Sequence, residues 1–256
     1  MLANLRVQTS LKALLLLGLG FFLFTRLTGG TLYFYISERF GWLTVVAALG
    51  LFLLGISYRT GRRNEEAEAV AGCEHDHADG DAGHDHAIGW GGLLIVALPI
   101  LFGLLIPPRP LGSTALAARE MNVSSVPSAL PAAVQGATAK ADTERSVLDW
   151  VLDFQASGTD GENFAGRSAD VMGFVHREAD DPADAFWLTR YVVGCCVVDA
   201  MPVGLRVVWP DAPALEADSW VRVEGQLAEN VSAAAPWLEA QSIVVVPPPN
   251  QPYLYP

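Results

Sequence analysis

Three apolar runs, at residues 11–28, 40–58 and 88–106, take up most of the first hundred-odd positions of this chain. A helix rising about 1.5 Å per residue needs roughly 20 apolar residues to cross a ~30 Å hydrocarbon core, and each run comes close to that length. The second and third runs contain no charged residue. Helices buried in a soluble core normally keep a polar face, so three membrane spans are the expected reading. Arg6 and Lys12 open the first run as in a signal peptide, but Thr25-Arg26-Leu27-Thr28 stands where a small-residue cleavage site would be, so an uncleaved anchor is expected. Arg26, near the end of that run, is expected to reach the headgroups with its long stem. Tyr33, Phe34, Tyr35 and Trp42 suit a membrane interface.

Basic residues set the expected orientation. Arg6 and Lys12 accompany the start of the first run and Arg59, Arg62 and Arg63 follow the second, against Arg26 and Arg39 between them. The bias puts the N-terminus and the 59–87 loop in the cytoplasm. Three crossings then leave the C-terminal domain extracytoplasmic, in a multi-pass protein of the cell membrane. The 59–87 loop holds four of the chain's five histidines, with Cys73, His75, His77, His84 and His86 interleaved with Asp76, Asp79, Asp81 and Asp85. Imidazoles, carboxylates and a thiol on a Gly- and Ala-rich backbone can wrap Zn²⁺ or another transition metal. The same composition equally describes an acidic connector that buries no core.

Residues 1–106 thus form a membrane domain. Residues 107–142, rich in Pro, Ala and Ser, are expected to end the third helix and tether the C-terminal domain to it. From 143 to 256 the pattern changes. A short amphipathic helix is expected near 143–154, with Val147, Val151 and Phe154 on one side. Strands are expected near 168–176, 186–193, 203–209, 220–227 and 237–246, separated by pieces such as Asp180-Asp181-Pro182. Five short strands, with Gly173 and Gly225 inside two of them, predict an all-β domain, a small OB-like barrel in preference to a small sandwich.

The segment 189–205, Thr-Arg-Tyr-Val-Val-Gly-Cys-Cys-Val-Val-Asp-Ala-Met-Pro-Val-Gly-Leu, resembles the signature of a bacterial family of two-component permease subunits (YcgQ-like). Its members join N-terminal spans to a β-rich domain of unknown function. Residues 35–40, 107–112, 171–175 and the closing Pro252-Tyr253-Leu254-Tyr255 fit the same pattern. The resemblance implies a partner, a polytopic membrane permease. It carries no known reaction.

Within that segment the candidate binding residues are Arg190, Cys195, Cys196 and Asp199. Adjacent strand residues point to opposite faces, so one cysteine is expected in the core and the other at the surface. Three readings stay open: a thiol or metal site including Asp199, a strained vicinal disulfide, and a packing role for two small residues. His176 reaches this site if the first two strands pair as a hairpin. Beyond residue 143 acidic residues outnumber six arginines and lysine is absent, which speaks against nucleic acid. With no Gly-x-Ser-x-Gly, His-Glu-x-x-His or phosphate-cradling glycine loop, an enzyme is not expected. Two functions fit: an accessory permease subunit whose extracytoplasmic barrel contacts the permease or its substrate, and a membrane metal-handling protein that uses the His-rich loop.

Overall fold

The computed structural model describes residues 2–68, 90–116, 140–157, 164–228 and 237–255. It comprises a helical unit, Met1–Leu32 with Glu38–Pro108, and a β unit, Tyr33–Ser37 with Arg109–Pro256.

The helical unit contains α1 (Leu2–Thr28), α2 (Gly41–Glu68) and α3 (Trp90–Leu105). α1 and α2 run antiparallel along a seam of small residues. Gly20 lies against the Ala48 carbonyl, and a Cβ on Gly55 would stand 2.8 Å from Leu17 Cγ. Ala13, Thr44 and Ala48 are buried in the same seam. Small side chains let two backbones approach closely enough for dispersion to hold them without a hydrophobic drive. Many of the unit's large side chains point outward: Leu14, Phe21, Leu53, Leu94 and Ile95 are 61–71% exposed.

Two segments, Ser10–Thr28 and Glu38–Tyr58, are long and apolar enough to cross a membrane. The third is shorter than expected. Among the described residues α3 has 16 residues, about 24 Å at ~1.5 Å per residue, and it ends at Leu105 because Pro107 disfavours helical backbone at Ile106. Pro107 also lacks the N–H that the Gly103 carbonyl would accept from within the helix. The Arg26 guanidinium donates to that carbonyl instead and lies 5.0 Å from the Phe22 ring centre. Arg26 is therefore a tie between α1 and α3. Arg26→Leu is expected to remove about 1–3 kcal/mol by orphaning the carbonyl, seen as an earlier thermal unfolding of the helical unit in mild detergent; an unchanged midpoint would refute the tie.

In the β unit, β1 (Ser168–His176), β2 (Ala185–Val192), β3 (Met201–Val208), β4 (Trp220–Ala228) and β5 (Trp237–Val245) fall within two residues of the expected positions. They pair in the order β1-β4-β5-β3-β2, and β2 returns to β1, so the sheet closes into a five-stranded barrel. β3 and β5 are parallel and the other pairs antiparallel. This is consistent with the OB-like barrel, and closure excludes the sandwich. β4 shows the expected alternation, with Val221, Val223 and Leu227 buried and Arg222, Glu224 and Gln226 exposed.

Gly173 and Gly225 mark where the sheet bends. β1 pairs with β4 from Ser168 to Phe174 and with β2 only from Phe174 onward; a Cβ on Gly173 would sit 2.7 Å from the Thr189 carbonyl oxygen. Gly225 lies at a register shift between β4 and β5.

α5 (Val147–Ser157) begins at Ser146, whose Oγ accepts the Asp149 N–H at 3.3 Å while Asp149 Oδ2 accepts the Ser146 N–H at 2.8 Å. That start directs Val147, Trp150, Val151 and Phe154 into the barrel core beside Phe186, Leu188 and Leu205. A second cluster joins Leu116 of the one-turn α4 (Ser113–Leu116) to Phe174, Tyr191, Trp220 and Tyr253. Tyr253 belongs to β6 (Tyr253–Leu254), which runs parallel to the end of β2. Residues 109–116 of the expected tether thus pack on the barrel, while 117–139 lie outside the described residues.

Candidate functional site

β2 ends at Val192, and the chain turns through Gly194, Cys195 and Cys196 into a single 3-10 turn, Val197–Asp199, before β3 begins. The cysteines therefore do not alternate across a strand, and neither enters the core. Cys195 is exposed and Cys196 half-buried, and both are free thiols. The expectation of one core cysteine is corrected by this turn, which Asp199 builds. Its carboxylate accepts the N–H of Gly194 at 3.0 Å and of Cys195 at 2.7 Å, and the Asp199 N–H in turn donates to Cys196 Sγ. With the Cys196 N–H donating back to Asp199 Oδ2 at 3.5 Å, Cys196 and Asp199 form a capping box with cysteine in the place of serine. Gly194 makes room for it, since a Cβ there would stand 3.1 Å from Asp199 Oδ2.

The turn is also held from outside. Residues Tyr33–Ser37, although they precede α2, belong to the β unit. Ile36 forms a β-bridge with Cys196, Ser37 N–H donates to the Cys195 carbonyl at 2.9 Å, and Val197 N–H donates to the Tyr35 carbonyl at 2.8 Å. Tyr253 hydroxyl donates to the Phe34 carbonyl at 3.2 Å. Tyr33, Phe34 and Tyr35, expected at a membrane interface, lie in this paired segment, which the sequence pattern does not announce; a two-residue bridge leaves no periodicity to detect.

One ligand atom from each of Cys195, Cys196 and Asp199 lies within 4.8 Å of the others. The Cys195 thiol bonds to the Asp199 carboxylate and lies beside Cys196, and these contacts push its pKa up to about 11. Burial would raise the Asp199 pKa, but the Cys195 thiol and the backbone N–H groups of Cys195, Gly194 and Cys196 outweigh it and hold the carboxyl below its ordinary range.

Arg190, in β2, is directed to the C-terminal segment. Its guanidinium donates to the carbonyls of Gln251 at 2.8 Å and Pro252 at 3.2 Å, 5.6 Å from the Trp220 ring centre, and burial lowers its pKa to about 10. The structure does not bring His176 to the site. It pairs with Trp187, eight residues before Cys195 and so roughly 25 Å of extended chain away. The five other arginines beyond residue 143 are also engaged within the β unit: Arg145 with Asp153, Arg167 with Asp142, Arg206 with Asp181, Arg222 with Asp170, and Arg177 with the Ala212 and Leu215 carbonyls. The other metal candidates, Cys73, His75, His77, His84 and His86, lie outside the described residues.

No curated protein matches the chain. Residues 11–122 match the model of the DUF1980 N-terminal domain, and residues 151–256 match that of the DUF1980 C-terminal domain. The two matches coincide with the helix-rich part and the barrel, so the chain carries both domains of DUF1980, an uncharacterised family, in that order.

Proposed function

We propose that the chain is a membrane-anchored accessory subunit of a permease, its helical unit in the bilayer and its barrel on the extracytoplasmic side. The observation that carries this reading is the outward face of α1, α2 and α3. Leu14, Phe21, Leu53, Leu94 and Ile95 are joined by Val46, Leu49, Leu104, Leu105 and other large apolar side chains that are more than half exposed. Burying one such side chain is worth about 1.5–3 kcal/mol, and an apolar surface of this extent requires lipid or another protein to cover it. The small residues of the α1–α2 seam are used within the chain, while Gly50 of α2 and Gly91 of α3 have nothing within 4 Å of a would-be Cβ. Such positions suit close approach by a helix of another integral protein. The resemblance of residues 189–205 to two-component permease subunits supplies the class of partner.

Two measurements test the reading. Carbonate-washed membranes should retain the full-length chain, and its release would overturn the anchor. Affinity purification from mild detergent should recover a multi-span protein in near-stoichiometric amount; a solitary, monodisperse chain would overturn the subunit assignment.

A further inference from the structure

We propose that Cys195, Cys196 and Asp199 form an open three-ligand site for a thiophilic divalent cation of the Zn²⁺ class. The inference rests on the barrel alone and goes beyond the subunit reading. A tetrahedral ion with metal–sulfur bonds near 2.3 Å and metal–oxygen bonds near 2.1 Å needs its ligands roughly 3.5–3.8 Å apart. The three ligand atoms already lie within 4.8 Å of one another, so side-chain rotation of about an ångström closes the set. The backbone beneath them is fixed by the Asp199 carboxylate on one side and by the Ile36–Cys196 bridge with its flanking hydrogen bonds on the other. Only side-chain torsions remain to be ordered, which keeps the entropic cost of binding small.

The chemistry of the donors selects the cation. Two sulfurs favour Zn²⁺, Cd²⁺ and their neighbours over Mg²⁺ or Ca²⁺, which prefer oxygen cages. The hydrogen bond between Cys195 and Asp199 marks where the ion enters: the cation takes the place of the shared proton. Two thiol protons leave to solvent as two thiolate–metal bonds form, and the carboxylate supplies its existing charge, so protons and charge balance without a redox step. Structural zinc sites close with four protein ligands, whereas three ligands leave one position for an incoming group. With Cys195 exposed, that fourth position faces outward. The arrangement suits accepting a cation from, or handing it to, a ligand on another molecule.

The test is a Cd²⁺ titration of the reduced full-length chain in detergent, followed by sulfur-to-cadmium charge-transfer absorption. The background carries Cys73→Ser with His75, His77, His84 and His86 changed to alanine, so that the loop supplies no thiol to the band and no imidazole to compete. The expected result is one equivalent bound, displaced by Zn²⁺ and not by Mg²⁺, with affinity falling about 100-fold in Cys195→Ser and in Cys196→Ser. Asp199→Asn keeps an oxygen for the Gly194 N–H and should retain the charge-transfer band while weakening binding at least tenfold. Because serine preserves size and polarity at an exposed turn, near-ultraviolet circular dichroism should show both cysteine variants folded. Absence of the band with both thiols confirmed reduced, or a band indifferent to loss of either cysteine, overturns the proposal.

Discussion

Gly225→Ala is expected to cost the barrel about 3 kcal/mol, the upper range of an overpacking substitution. The reason is geometric. An added Cβ would sit 2.2 Å from the Glu239 carbonyl oxygen and 2.9 Å from its carbon, and these are backbone atoms of the neighbouring strand with no rotamer to change. β4 and β5 join directly at this point across the register shift, so relief requires parting a ladder that helps close the barrel. For a domain of about a hundred residues, 3 kcal/mol corresponds to a fall in unfolding midpoint of about 15 °C. Gly204→Ala is the control: its Cβ would meet Thr189 Oγ1 at 3.3 Å, and its cost is expected to be about 1 kcal/mol or less. Thermal unfolding followed by tryptophan fluorescence separates the two; equal midpoints would show that the bulge tolerates a side chain.

The second large effect concerns thiol reactivity. With its pKa near 11, Cys195 is almost wholly protonated at neutral pH despite its exposure, and alkylation is expected to be slow and to accelerate as pH rises toward 11. Asp199→Asn replaces the charged acceptor to which the Cys195 thiol donates, weakening that hydrogen bond and removing the negative charge that opposes the thiolate. A return toward the ordinary pKa of 9.0, limited by Cys196, which also raises it, would raise the thiolate fraction by up to about 100-fold at pH 7, while the lower basicity reduces each thiolate's nucleophilicity by up to about tenfold. A net increase of severalfold, up to about tenfold, in the alkylation rate of Cys195, resolved by peptide mass spectrometry, is the expected result. If the variant alkylated no faster than the parent, the carboxylate would not be what restrains the thiol.

The sequence and the structure agree most closely where periodicity is long. Nine-residue strands such as β1 and β4 alternate enough to be placed almost to the residue, and the apolar stripe of Val147, Val151 and Phe154 places α5. The glycines at 173 and 225 announce tight bends because little else explains an unbranched position inside a strand. At the Cys195–Cys196 pair the same logic fails. Continuing the alternation of β2 through Gly194 ignores that Asp199, three residues after Cys196, can cap a turn; that spacing is the signal by which the turn could have been found. The paired segment Tyr33–Ser37 and the two-residue β6 are both too short to carry a pattern, and each is placed by a partner distant in sequence. Arg26 shows a different gap. Its role comes from a carbonyl that Pro107 leaves without a donor, a fact about two helices that neither run discloses alone.

The membership of residues 33–37 in the β unit has a topological consequence. Both the residues just before α2 and those just after α3 belong to one folded body, and one folded body occupies one aqueous compartment. Between Ser37 and Arg109 the chain must therefore make an even number of transits of any bilayer it enters. If α2 crosses, the polypeptide has to come back before Arg109, and among the described residues α3 is the apolar stretch available for the return. Parity of this kind follows from the few backbone hydrogen bonds that hold Tyr33–Ser37 to the Cys195–Val197 turn.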